Sequence, residues 1–193
     1  MFSGIVSKKI KVNEIKTIKD SLEIIFELPK GIFLEKGESV SLNGICSTVE
    51  KYSKTDFQIH YMKETLDITN ARNLKTGSQV NFEQALKWND RVSGHFVSGH
   101  IDCVGKVVVI DKKKGWILRI NIPSKFLKYV VYKGSISIDG VSLTTSKVGK
   151  NYFEVSLIPY TLELTTLGNL IKGNLVNIET DLLAKYANAK KTK

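Results

Sequence analysis

Two short stretches hold the side chains best suited to chemistry, NGICSTV at residues 43–49 and DGVSLTT at residues 139–145. They match at a fixed shift, since 140 − 44 and 144 − 48 both equal 96, and that shift sets Ser142 against Cys46. A thiol or hydroxyl so placed can add to an electron-poor carbon or position the water that does. His100 moves protons near neutral pH, and Asp181 can orient that imidazole or accept a proton itself. Thr48 and Thr144 supply hydroxyls that donate and accept. Gly4 and Gly99 have no Cβ and let the backbone approach a neighbour closely. Plainer roles stand beside these: a small buried thiol, a strand-end hydroxyl, a structural histidine, and a helix cap at Asp181. His60 and His95 are given no catalytic part.

The same shift extends along the chain. Thr65 falls on Thr161, Thr69 on Thr165, Asn73 on Asn169, Gly77 on Gly173, Asn81 on Asn177 and Glu83 on Glu179, with Phe57 on Phe153 midway. Near the start the shift is 95, so that FSGIV at residues 2–6 lies over VSGHI at residues 97–101. The chain therefore reads as two tandem copies joined by KWNDRVS. The domains are expected at 1–93 and 94–181, with a C-terminal helix and tail at 182–193. Each copy is a series of short alternating or β-branched runs: SLEIIFELP, ESVSLNGICSTVEKY and DFQIHYM in the first, GWILRINIP, GSISIDGVSLTTSKV and YFEVSLI in the second. Such runs between turn residues predict an all-β fold with a small closed barrel in each half. Short helices are expected at SKFLKYVV and TLELTTLGNL. The terminal DLLAKYANAKKTK has the helical spacing of Leu182, Leu183 and Tyr186, too little to fold alone.

Composition excludes several classes. The formal charge is +10, yet only three of the 29 basic residues are arginine, and the lysines are dispersed. That pattern lacks the clustered basic patch of a nucleic-acid reader. No apolar run approaches the roughly 20 residues of a bilayer span, and MFSGIVSKKI lacks the order of a signal peptide. Cys46 and Cys103 stand in no paired metal spacing, so no metal is expected. The reading is a reduced, cytoplasmic protein without nucleic-acid or membrane partners.

As an ordered set, MFSGIV, NGICSTV, MKETL, GHFVSGHID, YKGSISIDGVSLT and LIPYTLELTTLG resemble the riboflavin synthase alpha-chain family from Met1 to about Asp181. The resemblance implies two six-stranded antiparallel Greek-key barrels, a C-terminal helix and a homotrimer. It implies a transferase needing no cofactor. Two molecules of 6,7-dimethyl-8-ribityllumazine exchange a four-carbon unit, giving riboflavin and 5-amino-6-ribitylaminouracil. It implies substrate contacts in the first barrel from Gly4, Ile5, Val6, Cys46, Ser47, Thr48, His60, Tyr61, Met62, Lys63, Glu64 and Thr65. In the second barrel it implies Gly99, His100, Ile101, Lys133, Ser142, Leu143, Thr144, Ser156, Leu157, Ile158, Pro159, Tyr160 and Thr161. Catalytic parts are expected for Cys46, His100, Ser142 and Asp181. Association with a lumazine synthase is left open.

Two identical substrates explain a duplicated pocket, while their unequal fates require the pockets to differ. The differences are Cys46 against Ser142, Ile5 against His100 and Ala85 against Asp181. The chain departs from the family's motifs at Ile45, where a second cysteine is common, and at Tyr160, where histidine is common. A tyrosine with a pKa near 10 is a poor proton carrier at neutral pH. The rival function is a non-catalytic lumazine- or flavin-binding protein of the fluorescent antenna type. Such proteins tend to lose positions in one barrel, whereas here both barrels keep theirs.

Overall fold

The computed structural model describes residues 1–113 and 115–189. The last four residues of the expected tail, 190–193, lie outside the described residues.

The first half contains β1 (Lys8–Ile18), β2 (Ser21–Glu27), β3 (Ser39–Leu42), β4 (Ile45–Thr48), β5 (Lys51–Tyr52), β6 (Asp56–Tyr61) and β7 (Gln79–Gln84), with helix α1 (Lys63–Ile68). Its strands are ordered β4-β3-β7-β1-β2-β6-β5. β4 and β5, at opposite ends of that order, are one bent path. The Val49 amide donates back to Glu38 O, and the next amide, Glu50, donates across to Gln58 O, both at 2.9 Å. That change of partner closes the sheet, and with β4 and β5 taken as one strand the barrel has six.

The second half contains β8 (Cys103–Asp111), β9 (Ile117–Asn121), β10 (Ser135–Ile138), β11 (Val141–Val148), β12 (Tyr152–Ser156) and β13 (Leu175–Thr180). They close as β10-β11-β12-β9-β8-β13, the same order with the bent strand continuous. Helices α2 (Ser124–Leu127), α3 (Pro159–Leu164) and α4 (Leu182–Ala189) occupy the expected places.

The two opening motifs are hairpin turns. Asn43 and Gly44 have φ of 47° and 79°, and Asp139 and Gly140 have 44° and 79°. Both central residues of a two-residue type I′ turn need positive φ, which Asn-Gly and Asp-Gly accept most readily. The turns meet between the barrels: a Cβ on Gly44 would come within 2.7 Å of the Gly140 amide nitrogen. Around them the amides cross over. Asn81 Nδ2 donates to Asp139 O at 2.8 Å, and Asn177 Nδ2 donates to Asn43 O at 2.9 Å.

Alternation along the strands fills each interior. Phe26, Phe57 and Phe82 form the centre of the first, with the Phe26 and Phe57 rings stacked at 5.6 Å. Phe153, Leu118, Ile120, Ile136 and Ile178 fill the second. Each core borrows one residue from the other half: Ile101 belongs to the first and Val6 to the second.

Candidate functional site

The borrowed residues mark two exchanged arms. The amide and hydroxyl of Ser3 donate to Glu83 Oε1 at 2.8 and 2.7 Å, and the Gly4 amide donates to Oε2 at 3.1 Å. The other arm repeats this: Ser98 N and Oγ donate to Glu179 Oε1 at 2.7 and 2.6 Å, and Gly99 N donates to Oε2 at 2.9 Å. Burial pushes the Glu83 carboxyl up, against the pull of these donors. Each glutamate lies on the last strand of its own barrel and projects its arm over the other one.

The exchange sets each glycine arm against a motif of the other half. Gly4 meets Ser142, whose amide donates to Gly4 O at 2.7 Å. Gly99 meets Cys46, whose amide donates to Gly99 O at 2.9 Å. The fit admits no side chain. A Cβ on Gly99 would lie 2.7–3.0 Å from Cys46 atoms, and one on Gly4 would lie 2.7–3.1 Å from Ser142 atoms. With φ of +81° and +75°, both glycines also hold a backbone conformation that other residues adopt at a cost.

Cys46 and Gly99 line a cavity of about 240 Å³ together with Ile45, Glu64, Thr65, Ile68, Thr69, His100 and Ile101. His100 is exposed beside the half-buried Cys46. The His100 amide donates to Ser98 Oγ at 3.2 Å, which orients the arm rather than the ring. Thr48 is exposed on the same strand face as Cys46, while Ser47 turns inward and is buried. Tyr61 is buried too, His60 is half-buried, and Met62, Lys63 and Glu64 are exposed.

On the other side, Ser142 Oγ lies 2.7 Å from His95 Nδ1. Burial holds the His95 imidazole below its ordinary pKa, opposed by the negative charge of Asp181. At neutral pH the ring is therefore uncharged and able to take a proton. This histidine was not among the expected catalytic residues. Its place explains the omission: at a shift of 95 it pairs with none of the residues of the first copy from Met1 onward. The negative charge of Asp181, expected to serve His100, acts on His95. Asp181 is in addition a cap: its Oδ1 accepts the Leu183 amide at 2.9 Å at the start of α4.

Thr144 and Ser156 are exposed, and Leu143 and Thr161 are half-buried. Lys133 is exposed, at φ 63°. Leu157 is buried in the barrel, so only its backbone faces outward, as for Val6 and Ile101. Ile158 and Tyr160 are 60% and 66% exposed. Tyr160 lines a separate cavity with Lys8, Lys9 and Glu163, away from Ser142. Among the described residues no three His, Cys, Asp or Glu side chains group to hold a metal. Nor is any described helix long and apolar enough to cross a membrane.

The lumazine binding domain family matches this chain twice, over residues 3–85 and 98–181. A riboflavin synthase of Mycobacterium tuberculosis is 40% identical over 192 residues, covering 96% of each chain. One from Escherichia coli is 41% identical over 186 residues, 94% of this chain and 87% of that one. Among solved structures, LumP complexed with 6,7-dimethyl-8-(1'-D-ribityl) lumazine superposes with a TM-score of 0.84 at 26% identity, over 93% of this chain and 99% of the other. LumP complexed with riboflavin gives 0.85 at 27% identity over the same shares.

Proposed function

The chain belongs to the lumazine binding domain family, and from that premise we propose that it is a riboflavin synthase. It converts two molecules of 6,7-dimethyl-8-ribityllumazine into riboflavin and 5-amino-6-ribitylaminouracil. The observation that carries this reading is the pair of crossed arms. They set Gly99 against Cys46 and Gly4 against Ser142, so that matching positions of the two halves carry unlike groups, a thiol in one and a hydroxyl bonded to imidazole in the other.

The reaction needs a base for the C7 methyl of one lumazine and a nucleophile, water or a side chain, at C7 of the other. Cys46 beside His100 and Ser142 beside His95 are the groups placed for this work. The glycine arms leave room for flat rings, and Thr48, Thr144 and Lys133 are available to the ribityl chains and ring edges. The negative charge of Asp181 favours a proton on His95.

The two rings must stack within about 3–4 Å to react, and a neighbouring chain supplies the facing barrel in a homotrimer. Helix α4 suits such assembly: it leaves Leu183 and Tyr186 68% and 71% exposed, while Lys185 pairs with Asp102 at 2.8 Å to fix it on its own barrel. The enzyme works in the reducing cytoplasm, consistent with two free thiols.

A second reading, lumazine or flavin binding without turnover, is favoured by the LumP likeness. Purified protein incubated with 6,7-dimethyl-8-ribityllumazine separates the two. Riboflavin and the aminouracil appearing in equal amounts without added cofactor supports the synthase. Tight binding with no product supports the antenna-type alternative.

A further inference from the structure

Inside the first barrel, Tyr61 and Ser47 form a buried polar pair, where the second barrel has Leu157 and Leu143 at the matching positions. Tyr61 Oη and Ser47 Oγ are 2.8 Å apart. The Ser47 hydroxyl donates its single proton to Ile45 O at 3.0 Å. Tyr61 must therefore be the donor to Ser47, and the chain runs from phenol to hydroxyl to carbonyl.

That carbonyl belongs to the peptide bond whose nitrogen is Cys46 N, and Cys46 N–H donates to Gly99 O at 2.9 Å. The peptide leading into the thiol is thus gripped at both ends, from within the barrel and from the crossing arm. The matching peptide in the second barrel is held at its N–H by Gly4 O, but Leu143 brings no hydroxyl to its carbonyl. There Ser142 is fixed through its own side chain, on His95. Among the hydrogen bonds of the described residues, none reaches Cys46 Sγ, so the thiol's direction depends on its backbone. Burial keeps the Tyr61 phenol protonated far above the ordinary tyrosine range, which leaves it a donor at any working pH.

We propose that Tyr61, acting through Ser47, is a positioning residue for Cys46. The proposal rests on the synthase reading above and deepens it: one pocket aims its reactive group through the barrel wall, the other through a neighbouring side chain.

The test compares Tyr61→Phe and Ser47→Ala with the parent protein, each also made in a Cys46→Ala background. Because coupled residues are non-additive, each variant should lower kcat about fivefold with KM held within about twofold, yet cost less than about 1.5-fold once Cys46 is absent. Equal losses in both backgrounds would assign the pair a merely structural role and overturn the proposal. A second measurement is independent of turnover: the iodoacetamide alkylation rate of Cys46, read by peptide mass spectrometry. Cys103 is a silent control, since burial pushes its thiol up to about 12. A loosened Cys46 should alkylate about threefold faster, thiolate access being what sets the rate; an unchanged rate in both variants overturns the proposal. If the parent makes no riboflavin, the synthase reading fails, while alkylation still decides the positioning role. If Tyr61→Phe does not fold, Ser47→Ala carries both measurements.

Discussion

The two barrels share strand order, the hairpin turns that meet between them, and the glutamate that holds each arm. They differ at the point of chemistry. In the first, Cys46 is aimed by its peptide, clamped between Ser47 and Gly99. In the second, Ser142 is aimed by its side chain, bonded to His95. The comparison teaches how a duplicated fold escapes symmetry. Backbone geometry is kept by residues that repeat, such as Glu83 and Glu179, and roles diverge at side chains that do not.

The comparison breaks most severely at the arms. Gly99→Ala and Gly4→Ala each add a Cβ into atoms less than about 3 Å away and force a left-handed backbone, which by itself costs roughly 1–2 kcal/mol. Each should lower riboflavin formation about 100-fold, or about 3 kcal/mol. Each should also abolish only the pocket on the opposite barrel, so that fluorescence titration finds one lumazine per chain instead of two. Retention of two sites in Gly99→Ala would sink the exchanged-arm account of binding.

Next in size is the contrast between the turn residues Asn43 and Asp139. Both accept an amide with Oδ1, from Asn81 N and Asn177 N respectively, each at 2.7 Å. Burial pushes only the Asp139 carboxyl up, to about 7, partly offset by donors from Asn177 and Asn70. Between about pH 4 and 7 the folded state then binds more protons than the unfolded state, so stability falls as pH rises through that window. Asp139→Asn, copying the first barrel, should remove that slope and gain about 2 kcal/mol at pH 8. Urea unfolding at pH 5 and pH 8 measures it, and an equally steep slope in the variant would refute the assignment.

Smaller effects are expected at the reactive pair. Cys46→Ser should slow turnover about tenfold and Ser142→Ala about threefold, because the thiol is the more acidic and polarisable group. Equal losses would move the functional asymmetry to His95 and His100. Smallest of all is the response to EDTA: with no ligand cluster among the described residues, dialysed enzyme should keep its full rate. A strict requirement for added metal would contradict this for both pockets at once.

Much of this was legible in the residues. A constant shift of 96 exposed the duplication and set Cys46 against Ser142. Period-two alternation predicted strands, and it also carries the inward turn of Ser47 between Cys46 and Thr48. The same alternation puts the Ser47 and Tyr61 side chains in the barrel wall, where both are buried. His95 stands in GHFVSGHID, but its bond to Ser142 joins positions 47 residues apart and is not written in the local pattern.

What the sequence determined by itself is local or periodic: two barrels, their turns, and the identities of the groups that differ. Strand alternation and turn propensity act over a few residues, so they are written in consecutive letters. Which arm serves which pocket was decided only by the tertiary structure. It depends on contacts such as Gly4 with Ser142 and Gly99 with Cys46, between positions far apart in the chain. Two arms that share the same Ser-Gly core do not say as strings which barrel each will serve. Glu83 and Glu179, at the ends of the closing strands, aim each arm across the junction between the barrels, and that direction exists only once both barrels are closed.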